Sequence, residues 1–452
     1  MDVSGVIPKQ GLNKTILLLA APLIFQNLSY TLLGVTDTFF VSQVGTEAVA
    51  AVGLAGVMFF AVMMLFRSTA NSSIVFVGRA HGAKDDKAVG EAVWNVLNMV
   101  ALLSVIALVL PWLFTFLFQF AAPDDGSSVR QLGTTYLQIR AFEVPLAMFS
   151  AVVWGFLVGR GDSRTPMLLA WIQVLANIIL DWLLVPGNLG FPALGVAGAA
   201  YATVMSTAIH ATGSAFILWN KTNRQRYGTA KFRRASRAEL GEVLRIGLPM
   251  GAGDFFDIAA FSVFFAMVGR LGTDIAAANY IALQYMSISF TMGVAIGQAC
   301  SSLVAQYLGA KTPNEAERAG YRATWLGMVV MGVVGLGYLI APAALMDVFS
   351  DEARVITAGV TILKLVALYQ IIDAVAIVMG GALNGAGDTR YTMVVRGVLA
   401  WLLFLPVTYL LIFVVDGGIG GAWIAACVYL VGLAIAYFIR FRSGRWKLLE
   451  LR

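Results

Sequence analysis

Apolar residues run almost without interruption along this chain. The stretches 96–118, 325–346 and 398–415 hold no charged residue. Roughly 20 apolar residues in a helix cross a bilayer, so runs of this length read as membrane spans. Spans are expected at about 15–42, 51–78, 90–117, 133–158, 167–186, 194–219, 243–268, 279–307, 320–342, 356–383, 392–415 and 419–440. Apolar positions are continuous and do not alternate, which excludes a β-barrel. The pattern predicts an all-α polytopic membrane protein with twelve transmembrane helices.

Composition strengthens this reading. Of 452 residues 59% are hydrophobic and 12% charged, against about 25% charged in soluble domains. The 46 glycines suit closely packed membrane helices. The net charge of +6 does not point to nucleic acid, because the basic residues sit in short loops. An even number of spans puts both termini on one side. Of 31 Lys and Arg, three (Arg130, Arg270, Arg354) fall on the opposite side and four (Arg67, Arg140, Lys364, Arg396) within spans. The remaining 24 mark the side of the termini, which the positive-inside rule makes cytoplasmic. A span too long for a signal-peptide core follows the polar start, so no cleaved signal is expected. The loop 220–242 is strongly basic and reads as a topology anchor meeting anionic lipid headgroups. Cys300 and Cys427 lie in apolar segments and read as free thiols, with no disulfide or metal framework.

The two halves repeat. "LLLAAPLIFQN" with Pro22 matches "LRIGLPMGAGD" with Pro249 at an offset of 227, which also superposes Gly82-Ala83-Lys84 on Gly309-Ala310-Lys311. "GDSRTPM" (161–167) matches "GDTRYTM" (387–393), and "GVAGAA" (195–200) matches "GIGGAW" (418–423). Each half holds an even number of spans, so the repeats are parallel, with a symmetry axis along the membrane normal. The expected organisation is a six-helix bundle over 1–220, a basic linker over 221–242 and a pseudo-symmetric six-helix bundle over 243–452.

These landmarks together resemble the multidrug and toxin extrusion (MATE) family over nearly the full length. The carrying features are "GVTDTFFVSQVG" in span one, "GA" plus a basic residue after spans two and eight, and "GRGDSRTP…LANIILDWLLV…GVAGAAYATV" in spans five and six. "ALYQIIDAV…GALNGAGDTR" in span ten completes them. The first half is similar to the DinF-like group, and the span-ten motif to the NorM-like group.

An ionisable residue at mid-membrane costs roughly 2.5–3.5 kcal/mol on insertion scales and is a functional candidate by default. Asp37, Asn177, Asp181 and Thr203 form the first constellation. Asn177 and Asp181 share a face at i,i+4, and topology places all four in the outer half of the bilayer. Their oxygens suit Na⁺, and neighbouring desolvated carboxylates suit proton uptake. The resemblance implies a cation site here, since the family's N-lobe site uses this pattern. Asp257, Tyr369 and Asp373, with Asp254 nearby, form a second candidate cation or substrate site. They resemble the NorM-like C-lobe site, where the span-seven acid is usually Glu; Lys364 is an alternative partner for an acid there. Arg140 and Glu143 (i,i+3) are expected to pair. Arg67 and Arg396 have no partner readable from sequence, and His210 reads as a packed, satisfied histidine.

The function these features imply is secondary active multidrug efflux. H⁺ or Na⁺ is taken up at Asp37 and Asp181, span one bends at Pro22, whose ring removes a helix hydrogen bond, and small organic, cationic or amphipathic substrates are expelled by alternating access. The alternative within the same superfamily is a flippase or exporter of a lipid-linked precursor or other specific metabolite, for which a strongly cationic cavity is expected. A membrane-embedded enzyme would need a motif such as HExxH or GxSG, and neither occurs. The expected setting is the inner membrane of a prokaryote with both termini cytoplasmic, no cofactor beyond the coupling ion, lipid as the surrounding partner, no nucleic acid, and function as a monomer.

Overall fold

The computed structural model describes residues 11–121 and 128–449, and no strand occurs among them. The first half comprises α1 (Leu12–Ser42), α2 (Thr46–Asn71), α3 (Ser73–Gly82), α4 (Asp86–Ala107), α5 (Leu110–Ala121), α6 (Val129–Arg140), α7 (Glu143–Gly159), α8 (Arg164–Leu184) and α9 (Gly195–Leu218). A short α10 (Lys221–Tyr227) lies in the linker. The second half comprises α11 (Arg237–Gly269), α12 (Thr273–Gly309), α13 (Pro313–Ile340), α14 (Pro342–Asp347), α15 (Ala353–Gly385), α16 (Thr389–Val398), α17 (Leu405–Tyr409) and α18 (Gly418–Arg442).

Among the described residues ten helices are long and apolar enough to cross a membrane, or eleven with α6 and α7 taken as one bent span. The twelfth expected span is α9, 24 residues rich in Ala, Gly, Ser and Thr. Exposed apolar side chains cover the outside of the helices, among them Phe39, Trp112, Phe216, Ile340 and Leu402. Patches of that extent are lipid-facing surface, not the surface of a soluble protein.

Several expected spans are broken. The span over 51–78 parts at Ser72, where Ser72 donates to the Thr69 carbonyl at 2.7 Å and Thr69 to the Leu65 carbonyl at 2.6 Å. Such back-bonding competes with the helix ladder. The span over 90–117 parts at 108–109, just before Pro111. The span over 133–158 bends by 42° between α6 and α7, where Pro145 lacks an N–H for the preceding turn. The span over 392–415 stays helical through Pro406 by widening into π-helical turns at Leu399–Phe404 and Leu410–Val414, a known way to absorb a missing ladder bond.

The repeat is written into the backbone. Lys84 and Lys311, equivalent in the two halves, both take φ 58°, and Gly195 and Gly418 take 55° and 54°. A left-handed lysine is uncommon, so its recurrence at the same place marks one loop used twice.

Contacts divide the described helices into two compact groups: 25–251, and 252–449 with 11–24. The divisions fall inside α1 and α11, two residues beyond Pro22 and Pro249. Within the first group α8 packs on α9, α3 on α7 and α2 on α6. Within the second, α15 is central and packs on α12, α13 and α18. There a Cβ at Gly381 or Gly385 would lie 2.5 and 2.3 Å from the carbonyl oxygens of Gly297 and Ser301, so only glycine permits that approach.

Candidate cation site

The first group gathers Asp37, Asn177, Asp181 and Thr203 into one buried cluster. Their exposures are 5%, 0%, 0% and 1%. Asp37 lies one turn before the end of α1. Asn177 and Asp181 stand on successive turns of α8, and Thr203 faces them from α9. The Thr203 hydroxyl lies 3.0 Å from Asp37 Oδ2 and 3.0 Å from the Ala199 carbonyl. Its single proton serves one acceptor at a time. Thr36 donates to the Leu33 carbonyl at 2.9 Å and stands 3.4 Å from Asn177 Oδ1.

The cluster is short of donors. Asp37 Oδ1, both Asp181 carboxylate oxygens and Asn177 Nδ2 are buried with no hydrogen-bond partner. An unpaired ionised carboxylate in such a place costs several kcal/mol. Orphaned acceptors converging with an amide oxygen and a hydroxyl are what a proton or a small hard cation would satisfy.

Arg140 at the end of α6 borders the cluster. Its Nε donates to Glu143 Oε2 at 2.7 Å, as the i,i+3 spacing predicts, and its Nη1 donates to the Tyr136 hydroxyl at 2.7 Å. The same Nη1 lies 3.9 Å from Asp37 Oδ2, a link that sequence did not disclose. Beneath it a polar chain runs along α8 and α9. The Thr207 hydroxyl is 3.3 Å from Glu143 Oε1, and Gln173 Nε2 donates to Thr207 Oγ1 at 3.0 Å. His210 Nδ1 lies 2.8 Å from Gln173 Oε1, so His210 is packed and satisfied as expected.

The second candidate set is arranged differently. Arg396 of α16 reaches across to α11, where Nη1 pairs with Asp254 Oδ1 and Nε lies 3.4 Å from Asp257 Oδ2. The Tyr429 hydroxyl of α18 donates to Asp257 Oδ1. Asp373 on α15 is buried and close enough to Asp257 for their charges to interact. Tyr369 one turn earlier directs its hydroxyl to Met286 Sδ at 3.9 Å and is not joined to the Asp254–Arg396–Asp257 group by any hydrogen bond. Lys364 is exposed and forms no ion pair with these acids. Arg67 lies over the Tyr30 ring at 4.4 Å. Cys300 and Cys427 are free thiols.

At the repeat offsets, Asp37, Asn177, Asp181 and Thr203 correspond to Phe264, Leu403, Val407 and Ala426. In the second group that place is an aromatic core, with Phe264 5.2 Å from Phe404 and 5.6 Å from Trp423, and Phe404 stacked on Tyr429 at 5.2 Å. The frame is duplicated and the polar site is not.

A polytopic helical protein made of two sequence repeats, with a buried oxygen cluster in one of them, has the features of a membrane transporter. The family model MatE matches residues 22–183 and again 249–410, the same 227-residue displacement seen in the sequence. The chain belongs to this family. It is 27% identical over 98% of its length to a probable multidrug resistance protein NorM of Thermotoga maritima, covering 95% of that protein. It is 30% identical to the multidrug resistance protein NorM of Burkholderia vietnamiensis over 94% of this chain and 92% of that one. Among solved structures it superposes on a MATE protein in the bent conformation with a TM-score of 0.87 at 21% identity, covering 96% and 95% of the two chains. A MOP superfamily transporter from Pyrococcus furiosus gives 0.86 at 20% identity, covering 98% and 97%. At these identities the structural likeness speaks to the fold.

Proposed function

We propose that this protein is a secondary active multidrug efflux transporter that exchanges H⁺ or Na⁺ for small organic, cationic or amphipathic substrates by alternating access. The reading is transport and not catalysis. It places the chain in the cytoplasmic membrane of a prokaryote with both termini inside, as the distribution of basic residues suggests. The observation that carries it is the buried cluster in which Asp37 Oδ1 and both Asp181 oxygens lack partners.

Asp37, Asp181, the Asn177 amide oxygen and the Thr203 hydroxyl would hold the coupling cation. Thr203 suits both states of Asp37. It donates to the carboxylate when Asp37 is charged. When Asp37 is protonated, the acid proton can go to Thr203 Oγ1 while Thr203 donates to the Ala199 carbonyl. Loading removes charge from an apolar surround, so the loaded and empty cluster favour different packings of α1 around Pro22. The NorM relatives are multidrug resistance proteins by name, which supports organic substrates of varied structure.

The test is uptake of an organic cation dye in proteoliposomes under an imposed Na⁺ or pH gradient. Ion-driven transport is expected in the wild type and a loss of at least about tenfold in Asp37→Asn, the equivalent of about 1.4 kcal/mol in coupling. Full ion-driven transport by Asp37→Asn would refute the site.

A further inference from the structure

We propose that Arg396 is a tethered cation that permanently occupies the Asp254–Asp257 acid pair, so that this pair does not take up the coupling cation. The proposal rests on the reading that coupling occurs at Asp37.

The geometry is that of a bridging ion. Asp254 and Asp257 are i,i+3 on α11 and present their carboxylates on one face. The Arg396 guanidinium touches both, through Nη1 and Nε, and Tyr429 fills the remaining oxygen of Asp257. A guanidinium does not lose its proton in a protein, and its planar fork is preorganised for two carboxylates. It therefore does by covalent attachment what Na⁺ or H⁺ would do by binding.

The surroundings fit this guanidinium. At Gly253 of α11 a Cβ would stand 3.6 Å from Arg396 Cδ, and at Gly380 of α15 one would stand 3.9 Å from Nη2. Small residues on two helices thus line its stem and head. The Arg396 side chain is 19% exposed and those of Asp254 and Asp257 are 36% and 25% exposed, so the group is partly shielded from solvent screening. A second monovalent cation about 4 Å from this guanidinium would meet repulsion worth on the order of a thousandfold in affinity at an intermediate dielectric.

The first group differs in the detail that matters. Arg140 is engaged with Glu143 at 2.7 Å and stands off from Asp37 at 3.9 Å. It leaves Asp37 Oδ1 and the Asp181 oxygens without donors. Arg396 and its acids also form a set within the repeat: at the offsets already established, Asp254, Asp257 and Arg396 correspond to Asn27, Tyr30 and Ala170. All three charges are peculiar to the second half.

The experiment is Na⁺ binding to the purified full-length transporter, counted with radioactive Na⁺. Arg396→Met is expected to bind one more Na⁺ per chain than the wild type. Arg396→Lys and the double variant Arg396→Met/Asp257→Asn should return to the wild-type count. An unchanged count in monodisperse Arg396→Met overturns the proposal. Asp257→Asn, which leaves the Arg396–Asp254 pair intact, decides the matter should Arg396→Met fail to fold. Its Na⁺ count in proteoliposomes should equal that of the wild type, and a count lower by one per chain overturns the proposal. Asp37→Asn in the same vesicles is the separate control: full export there refutes coupling at Asp37, and the Na⁺ count still judges Arg396.

Discussion

On the proposed coupling at Asp37, Thr203 is the residue on which the chemistry of the first site turns, because its hydroxyl sits equally near Asp37 and the Ala199 carbonyl. Thr203→Val keeps the shape and removes the donor. Losing one hydrogen bond to a charged group costs about 1.5–3 kcal/mol, so the coupling-ion concentration for half-maximal export should rise roughly tenfold or more with little change in fold stability; an unchanged ion dependence would show that Thr203 only packs. Asp37, Asn177, Asp181 and Thr203 were legible in sequence for a physical reason. Carboxylates inside apolar runs are costly, and i,i+4 spacing fixes a shared face. Arg140 and Arg396 were legible as anomalies only. Arg140 announces Glu143 through local spacing, but its approach to Asp37 joins residues 103 positions apart, and Arg396 finds Asp254 from 142 positions away. No periodicity encodes such meetings.

Helices were legible in number and order, but their interruptions were not. Hydropathy sees an apolar run and not the ladder, so the breaks at Ser72, at 108–109 and between α6 and α7 were absorbed into spans. Pro22 and Pro249 differ from those breaks, since α1 and α11 continue through them. Each lacks one ladder hydrogen bond, and the division into compact groups falls two residues later in both helices. This makes both prolines candidate bending points, Pro249 as the repeat equivalent of Pro22. Pro22→Ala and Pro249→Ala restore the ladder bond and should not lower thermal stability, since proline in a helix interior is unfavourable by about 3 kcal/mol. Ion-driven export is expected to fall several-fold in each, while dye binding persists. Retention of full export by both variants would mean that the ladder gaps serve no motion.

The linker is a further element whose role sequence underdescribed. Beyond its positive charge, it docks on the first group: Arg226 pairs with Asp86 at 2.9 Å, and Arg233, held within the linker by Glu239 at 2.7 Å, donates to Asn95 of α4 at 2.8 Å. The bond to Asp86 holds the Arg226 guanidinium above its ordinary pKa. Tyr227 packs so closely on α4 that a Cβ at Gly90 would lie 1.8 Å from its carbonyl oxygen. Gly90→Val must displace this segment. A destabilisation of about 1–3 kcal/mol is expected, as for overpacking elsewhere, together with faster trypsin cleavage between Lys221 and Arg237. An unchanged cleavage rate would show that the contact does not hold the linker.

At the scale of the whole molecule, the two halves of the duplicated frame arrange their buried charges differently, and this bears on how export would respond to voltage. Around the first site stand three carboxylates, Asp37, Asp181 and Glu143, and one guanidinium, Arg140. Arg140 and Glu143 cancel, which on the proposed coupling leaves two negative charges to be neutralised during loading. The second group also holds three carboxylates and one guanidinium, but there Arg396 bridges Asp254 and Asp257 and only Asp373 stands outside the pair, so on the proposed coupling at Asp37 the exchanged charge is assigned to the first site. If two cations enter for each singly charged organic cation that leaves, one net charge moves inward per cycle. Each such charge gains about 2.3 kcal/mol per 100 mV, inside negative, equivalent to roughly a fifty-fold gradient. A one-for-one exchange would be electroneutral and gain nothing from the potential. Proteoliposomes loaded with dye and clamped with K⁺ and valinomycin separate the two cases: an inside-negative potential is expected to raise steeply the steady outward dye gradient at a fixed inward ion gradient. A dye gradient that ignores the potential would mean that only one of the two carboxylates exchanges its cation.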